Sequence, residues 1–272
     1  LVLITEYFDI KGSKLLRLGY MTTLIYGGVI LVSGYKFIYG SNGYITNILA
    51  SMFPNMNTNW FVGYWAVIFV MTFACTSNHL IFLSNAIRKV DFQTVEAAKN
   101  MGASTFTILR KVVLPVLLPS IFAVSILIFI TGLGATSAPL IVGGESFQTI
   151  TPMILTFSKS IGSRDLASLL SIFLGIATMI LLAVMTRIEK KGNYMSVSKV
   201  KTTIVRQKIN NKFANILAHI YAYALFLIYV VPVVLIIIFS FTDAKSIATG
   251  VISLDSFTLK NYQSLFTNAS AI

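Results

Sequence analysis

Asp91 to Pro119 reads DFQTVEAAKNMGASTFTILRKVVLPVLLP, a polar and basic island between two long apolar runs. Asp91 has the short acceptor side chain of an N-cap, and about ten residues of good helix propensity follow it. Gly102 lets the backbone bend sharply where a Cβ would hinder it. Ser104 can cap a second short helix, Thr105 to Lys111. Pro115 suits the first turn of the next helix, where its missing N–H is harmless. The expected local structure is helix, turn, helix, then a membrane span. Ala97 and Ala98 leave one side of the first helix nearly bare, so a partner's surface can approach it closely. Glu96 offers a carboxylate to a partner cation, and Lys99 flanks it. Residue chemistry alone leaves a second reading open, an ordinary amphipathic loop with Gly102 as a plain turn.

The flanks decide the class. The 272 residues are 56% hydrophobic and only 11% charged, where globular chains carry about 25% charged residues. Mean hydropathy is +0.81. The expected fold is all-α, a polytopic membrane protein with about five transmembrane helices near 18–39, 62–86, 116–137, 167–187 and 214–241. About 20 apolar residues cross a hydrocarbon core of ~30 Å. Gly27, Gly28 and Gly34 in the first span suggest close helix contacts. Residues 1–17 are expected to be a loop entering that span. Residues 40–60 carry no charge but many Asn, Ser and Gly, and are expected to be a polar loop ending near interfacial Trp60 and Trp65. Residues 145–166 are expected to be a loop or short surface helix, and 242–272 an outward loop.

Within the spans, Asn78 and His79 are candidates for lining a path, because polar groups at membrane depth are costly. A packed, hydrogen-bonded His79 is the plainer alternative. The third span runs into Gly132-Leu133-Gly134-Ala135-Thr136-Ser137-Ala138-Pro139. Small residues and a proline permit a broken, closely packed backbone, so Gly134, Thr136, Ser137 and Pro139 join the pore-lining candidates. The alternative is a span end followed by turns. Pro232 is expected to kink the fifth span.

Charge placement sets an expected orientation. Loops 1–17, 87–112 and 187–213 hold sixteen Lys and Arg, against five elsewhere. Cytoplasmic loops attract Lys and Arg, so the island at 91–115 is expected on the cytoplasmic side of a cell inner membrane. Residues 192–212 are expected to form a basic cytoplasmic linker between 1–191 and a second unit beginning at 213. The same placement argues against nucleic acid as the partner of the +12 net charge and for the headgroups of the lipid bilayer. One cysteine, Cys75, excludes an intramolecular disulfide framework. No G-x-x-x-x-G-K-[ST] occurs, so ATP is not bound by that route. No His, Cys and carboxylate cluster has zinc spacing. No catalytic residue, metal site or cofactor is assigned. The spans hold no Asp or Glu, against a carrier relying on intramembrane carboxylates. Without an initiating Met and with an abrupt end at Ala271-Ile272, the chain reads as an internal piece of a longer protein.

Glu96-Ala97-Ala98, Gly102 four residues on, Val112 ten after that and Leu114-Pro115 together resemble the EAA signature of the membrane subunits of type I ABC importers. The resemblance implies that Glu96, Ala97, Ala98, Gly102, Leu114 and Pro115 form a coupling element that docks in a cleft of an ATP-hydrolysing partner. It further implies two such cytoplasmic ATP-binding subunits, with ATP and Mg bound there, and an extracellular or periplasmic solute-binding protein. The order of parts is similar to the second half of one permease unit followed by the start of another. Pro232-Val233-Val234, Phe239-Ser240-Phe241 and the segment 259–266 resemble the opening of such a unit. Two units in one chain are typical of fused iron(III) permeases, which carry a small-residue stretch similar to 134–144. Iron(III) is therefore the favoured cargo. A polyamine, thiamine or phosphonate is the alternative, and a secondary carrier or channel is the alternative of a different class.

Overall fold

A computed structural model describes residues 1–26, 28–145, 147–191, 206–209, 211–249 and 253–267. In chain order its helices are α1 Ser13–Tyr20, α2 Gly28–Tyr39, α3 Tyr44–Met52, α4 Tyr64–Ala74, α5 Thr76–Ile87, α6 Phe92–Asn100, α7 Thr105–Ile108 and α8 Leu114–Leu133. There follow α9 Ser137–Val142, α10 Ile150–Lys159, α11 Arg164–Lys191, α12 Lys212–Ser240, α13 Ala244–Thr249 and α14 Lys260–Thr267. The fold is helical throughout, with no strand among the described residues. Gly27 and most of the expected linker, 192–205 and 210, lie outside the described residues.

Four segments are long and apolar enough to cross a bilayer: Tyr64–Ile87, Thr105–Leu133, Ile161–Arg187 and Lys212–Ser240. They coincide with four of the five expected spans. The first expected span, 18–39, is not one helix. α1 stops at Tyr20, a 3-10 turn covers Thr22–Leu24, and α2 starts afresh at Gly28. The Thr22 hydroxyl bonds back to the Gly19 carbonyl at 2.7 Å. Two adjacent β-branched threonines and the Gly27-Gly28 pair weaken helix here, although mean hydropathy stays high. A fifth crossing requires both parts taken together.

Three expected loops contain helices. Residues 1–17 form a π-helical turn at Leu3–Tyr7 and the start of α1. Residues 40–60 contain α3, whose Ile45, Ile48, Leu49 and Met52 keep helical spacing. Residues 242–272 contain α13 and α14. In α3 the apolar period lies among Asn, Ser and Gly neighbours that hide it.

The chain forms two compact units. The first comprises Leu1–Leu24, Cys75–Ala135 and Thr149–Phe226. Within it α5 packs on α8, α8 on α11 and α11 on α10, while the N-terminal turn and α1 pack against α5. The second unit comprises Ile25–Ala74, Thr136–Gln148 and Leu227–Ile272. Its core gathers Leu31, Tyr35, Phe61, Val70, Val142 and Val233. Gly34 on α2 is required there by close approach. A Cβ would lie 3.0 Å from both Pro232 Cβ and Ile236 Cδ1, and 3.1 Å from the Pro232 carbonyl oxygen. In lipid, where burying apolar surface gains little, such small-residue contacts hold helices together by dispersion.

Candidate functional site

The island after α5 is built by local capping chemistry. Two tight turns end α5, with Lys89 N–H donating to Ala86 O and Val90 N–H to Ile87 O. Asp91 then caps α6, accepting from Gln93 N–H at 3.0 Å and from the Thr94 hydroxyl at 2.9 Å. α6 buries Phe92 and Val95 on one side, and Glu96 and Ala97 stand exposed on the other. It closes with paired bonds, Ala103 N–H to Ala98 O at 3.0 Å and Gly102 N–H to Lys99 O at 2.9 Å. This closure needs a left-handed residue just past the helix end, and Gly102 supplies it at φ 83°.

Ser104 caps α7 by accepting from Thr107 N–H at 3.2 Å. The expected second short helix, Thr105 to Lys111, differs in form. It is α7, then a π-helical turn Leu109–Val113 that runs directly into α8. Leu114 N–H reaches back five residues to Leu109 O. Pro115 explains the wide turn. It has no N–H for the Lys111 carbonyl, and its ring would crowd that carbonyl in a regular α-helix. Leu114 and Pro115 open α8 as expected.

The result is an elbow with two faces. Val90, Phe92, Val95, Ile108 and Val113 are buried inward. Met101 is 82% exposed and Phe106 71% exposed, on either side of the Gly102 bend. Neither stood out in the sequence. The available signal was two large apolar side chains within a polar island, flanking the one glycine that turns it. Glu96 makes no hydrogen bond or ion pair among the described residues. The elbow thus presents a free carboxylate, a bare alanine side and two apolar knobs.

The other candidates divide between the two units. In the first, Gly134 caps α8, its N–H donating to Ile130 O at 3.3 Å. Asn78 and His79 are half-buried on α5, and His79 Nδ1 lies 3.3 Å from Cys75 O, the packed arrangement weighed against a path-lining role. The buried hydroxyls of α5 are instead Ser77 and Ser84, which find no partner among the described residues. In the second unit, Thr136 precedes α9, which contains Ser137 and Pro139. Pro139 is buried, and Ser137 Oγ would lie 3.1 Å from a Cβ on Gly28. Gly63 N–H donates to Val142 O at 2.8 Å, fastening the end of α9. The small-residue stretch therefore packs α9 into its unit. No group of three or more His, Cys, Asp or Glu that could hold a metal is present among the described residues.

Residues 17–190 match the family described as binding-protein-dependent transport system inner membrane component. The chain is 42% identical over 270 residues to the "Probable ABC transporter permease protein y4fN" of Sinorhizobium fredii, covering 99% of this chain and 47% of that protein. It is 27% identical over 168 residues to the spermidine/putrescine transport system permease protein PotC of Escherichia coli, covering 61% of this chain and 64% of that protein. It is 26% identical over 121 residues to the ferric transport system permease protein FbpB of Actinobacillus pleuropneumoniae, covering 44% of this chain and 18% of that protein. The chain spans about half the length of the Sinorhizobium relative. Given the matched segment, the apolar helices and the elbow between two of them, the chain belongs to the binding-protein-dependent inner membrane components, the permeases of type I ABC importers.

Proposed function

We propose that this chain forms part of the membrane path of an ATP-driven importer, with the 91–115 elbow as the handle gripped by an ATP-hydrolysing subunit. The observation that carries this reading is the elbow's outer surface. A capped helix, a left-handed glycine and a second helix hold Glu96, Ala97, Met101 and Phe106 outward on a packed base. ATP closure of two such subunits would move two elbows and rock the path between outward and inward states. The cation-rich loops support a cytoplasmic elbow. Solute arrives from an external binding protein, and ATP and Mg stay in the partner subunits. Gly134, Thr136, Ser137, Pro139, Asn78 and His79 are offered as residues along or near the path.

Iron(III) is the proposed cargo, supported by the fused arrangement read from 213 onward and by the ferric relative. A specific observation favours a polyamine as the second reading. The PotC match runs over more of the chain. Uptake in cells expressing the whole protein with its ATPase tests both. Labelled iron should enter only while the ATPase hydrolyses ATP, and excess spermidine should not compete. Competition by spermidine transfers the proposal to polyamines. Uptake that survives loss of ATP hydrolysis contradicts the importer reading.

A further inference from the structure

We propose that Glu6 is a positioning residue of the transport cycle, an ionic clasp between the root of the elbow and the N-terminal segment that carries elbow movement on to α12. The inference rests on the coupling role proposed for the elbow. Arg88 is the C-cap of α5, three residues before the cap Asp91, so it marks the elbow's root. Glu6 sits in the π-helical turn Leu3–Tyr7 with its side chain 7% exposed. Its Oε1 accepts from Arg17 on α1 at 2.6 Å, and its Oε2 faces Arg88 Nη2 at 3.5 Å. One buried carboxylate therefore spends each oxygen on a cation from a different element.

The other edge of the same segment is fastened to the residues leading into α12 and to its first turns. Asp9 N–H donates to Gln207 O at 3.0 Å, and Gln207 N–H to Tyr7 O at 2.8 Å. The Arg206 guanidinium donates to Thr5 O at 3.1 Å and also to Ser13 Oγ. Lys11 N–H donates to His219 Nε2 at 3.2 Å, which puts the His219 ring proton on Nδ1, facing Asn215 O at 2.8 Å. The Tyr223 hydroxyl donates to Lys11 O at 3.0 Å and the Tyr20 hydroxyl to Ala222 O at 2.8 Å. All of these residues belong to the first unit. The first twenty residues thus lie between the elbow's root and α12, held by two arginines on one edge and by two backbone bonds and several side-chain bonds on the other.

The chemistry of the clasp points to register more than to stability. An apolar pair of similar volume would serve packing as well as a buried ion pair does. What the carboxylate adds is a single, directional fit between two guanidinium groups. Removing Arg88 leaves Glu6 paired with Arg17, and Arg88 is itself 52% exposed. Arg88→Gln should therefore fold while cutting the link to the elbow.

Spin labels follow the link without any knowledge of the cargo. In a Cys75→Ser background, Gln93→Cys, exposed on α6 away from the docking knobs, labels the elbow and, in separate samples, Ile216→Cys labels α12. Each distance is measured to a label on the ATPase subunit in the assembled complex, before and after trapping with ATP and vanadate. In the parent both distances should change. In Arg88→Gln the elbow's change should persist while that of α12 falls by at least half, and Arg88→Lys should restore it. Glu6→Gln should match Arg88→Gln, and if it is lost from the membrane fraction Arg88→Gln alone decides. An undiminished change at α12 in Arg88→Gln overturns the clasp while sparing the coupling role. A parent complex that binds no ATPase, or whose elbow stays still, overturns the coupling role and the clasp with it.

Discussion

Gly102 adopts φ 83° in open space, with nothing within 4 Å of where a Cβ would stand. Its requirement is conformational and not steric, which separates three substitutions. Gly102→Ala should strain the bend by about 1–2 kcal/mol. Gly102→Asn, which tolerates the left-handed region, should keep most of the coupling. Gly102→Asp puts a charge on the outer surface, and should lose ATPase co-purification while inserting normally. Equal co-purification by all three would show that the bend is not gripped. Met101→Ala and Phe106→Ala remove the two exposed knobs. Each should weaken binding of the ATPase about tenfold or more in a titration, the scale of an interface anchor, with thermal stability unchanged. The glycine was legible because a left-handed cap is a local demand that sequence spacing reveals. The knobs were not, because exposure is fixed by which neighbours pack the rest of the elbow.

At the scale of elements, the same contrast holds. The caps at Asp91 and Ser104 follow from a side chain and the next three residues, and both form as expected. Asp91→Ala should cost about 1 kcal/mol of local stability and raise amide exchange across α6 without disturbing α8. The break inside 18–39 and the helix at 44–52 escaped because hydropathy averaged over a span hides a turn, and polar neighbours hide a short apolar stripe. The π-helical turn at Leu109–Val113 follows from Pro115 only once the chain is known to run on as helix from Thr105 to Leu133. Packing between elements gives a further prediction. Gly34→Leu should drive α2 from Pro232 and Ile236, lowering stability by about 1–3 kcal/mol, read as a lower melting temperature in detergent. An unchanged melting temperature would mean that the contact is slack.

For the whole molecule, the long apolar runs marked a membrane protein in the sequence, and the likeness of 96–115 to the EAA signature supplied the permease family that the comparisons bear out. Residues along a path are not singled out by packing within one chain, where Ser137 and Pro139 sit in α9 and His79 Nδ1 lies 3.3 Å from Cys75 O. The elbow is proposed to be held by an ATP-hydrolysing subunit in the cytoplasm. Met101→Cys in a Cys75→Ser background, treated with a thiol cross-linker in membranes containing the ATPase, tests it most directly. The predicted result is a covalent permease–ATPase product that changes in yield when ATP is added. A cysteine at 101 that forms no such product, and that reacts with an impermeant reagent from outside the cell, would rule out a cytoplasmic grip on the elbow.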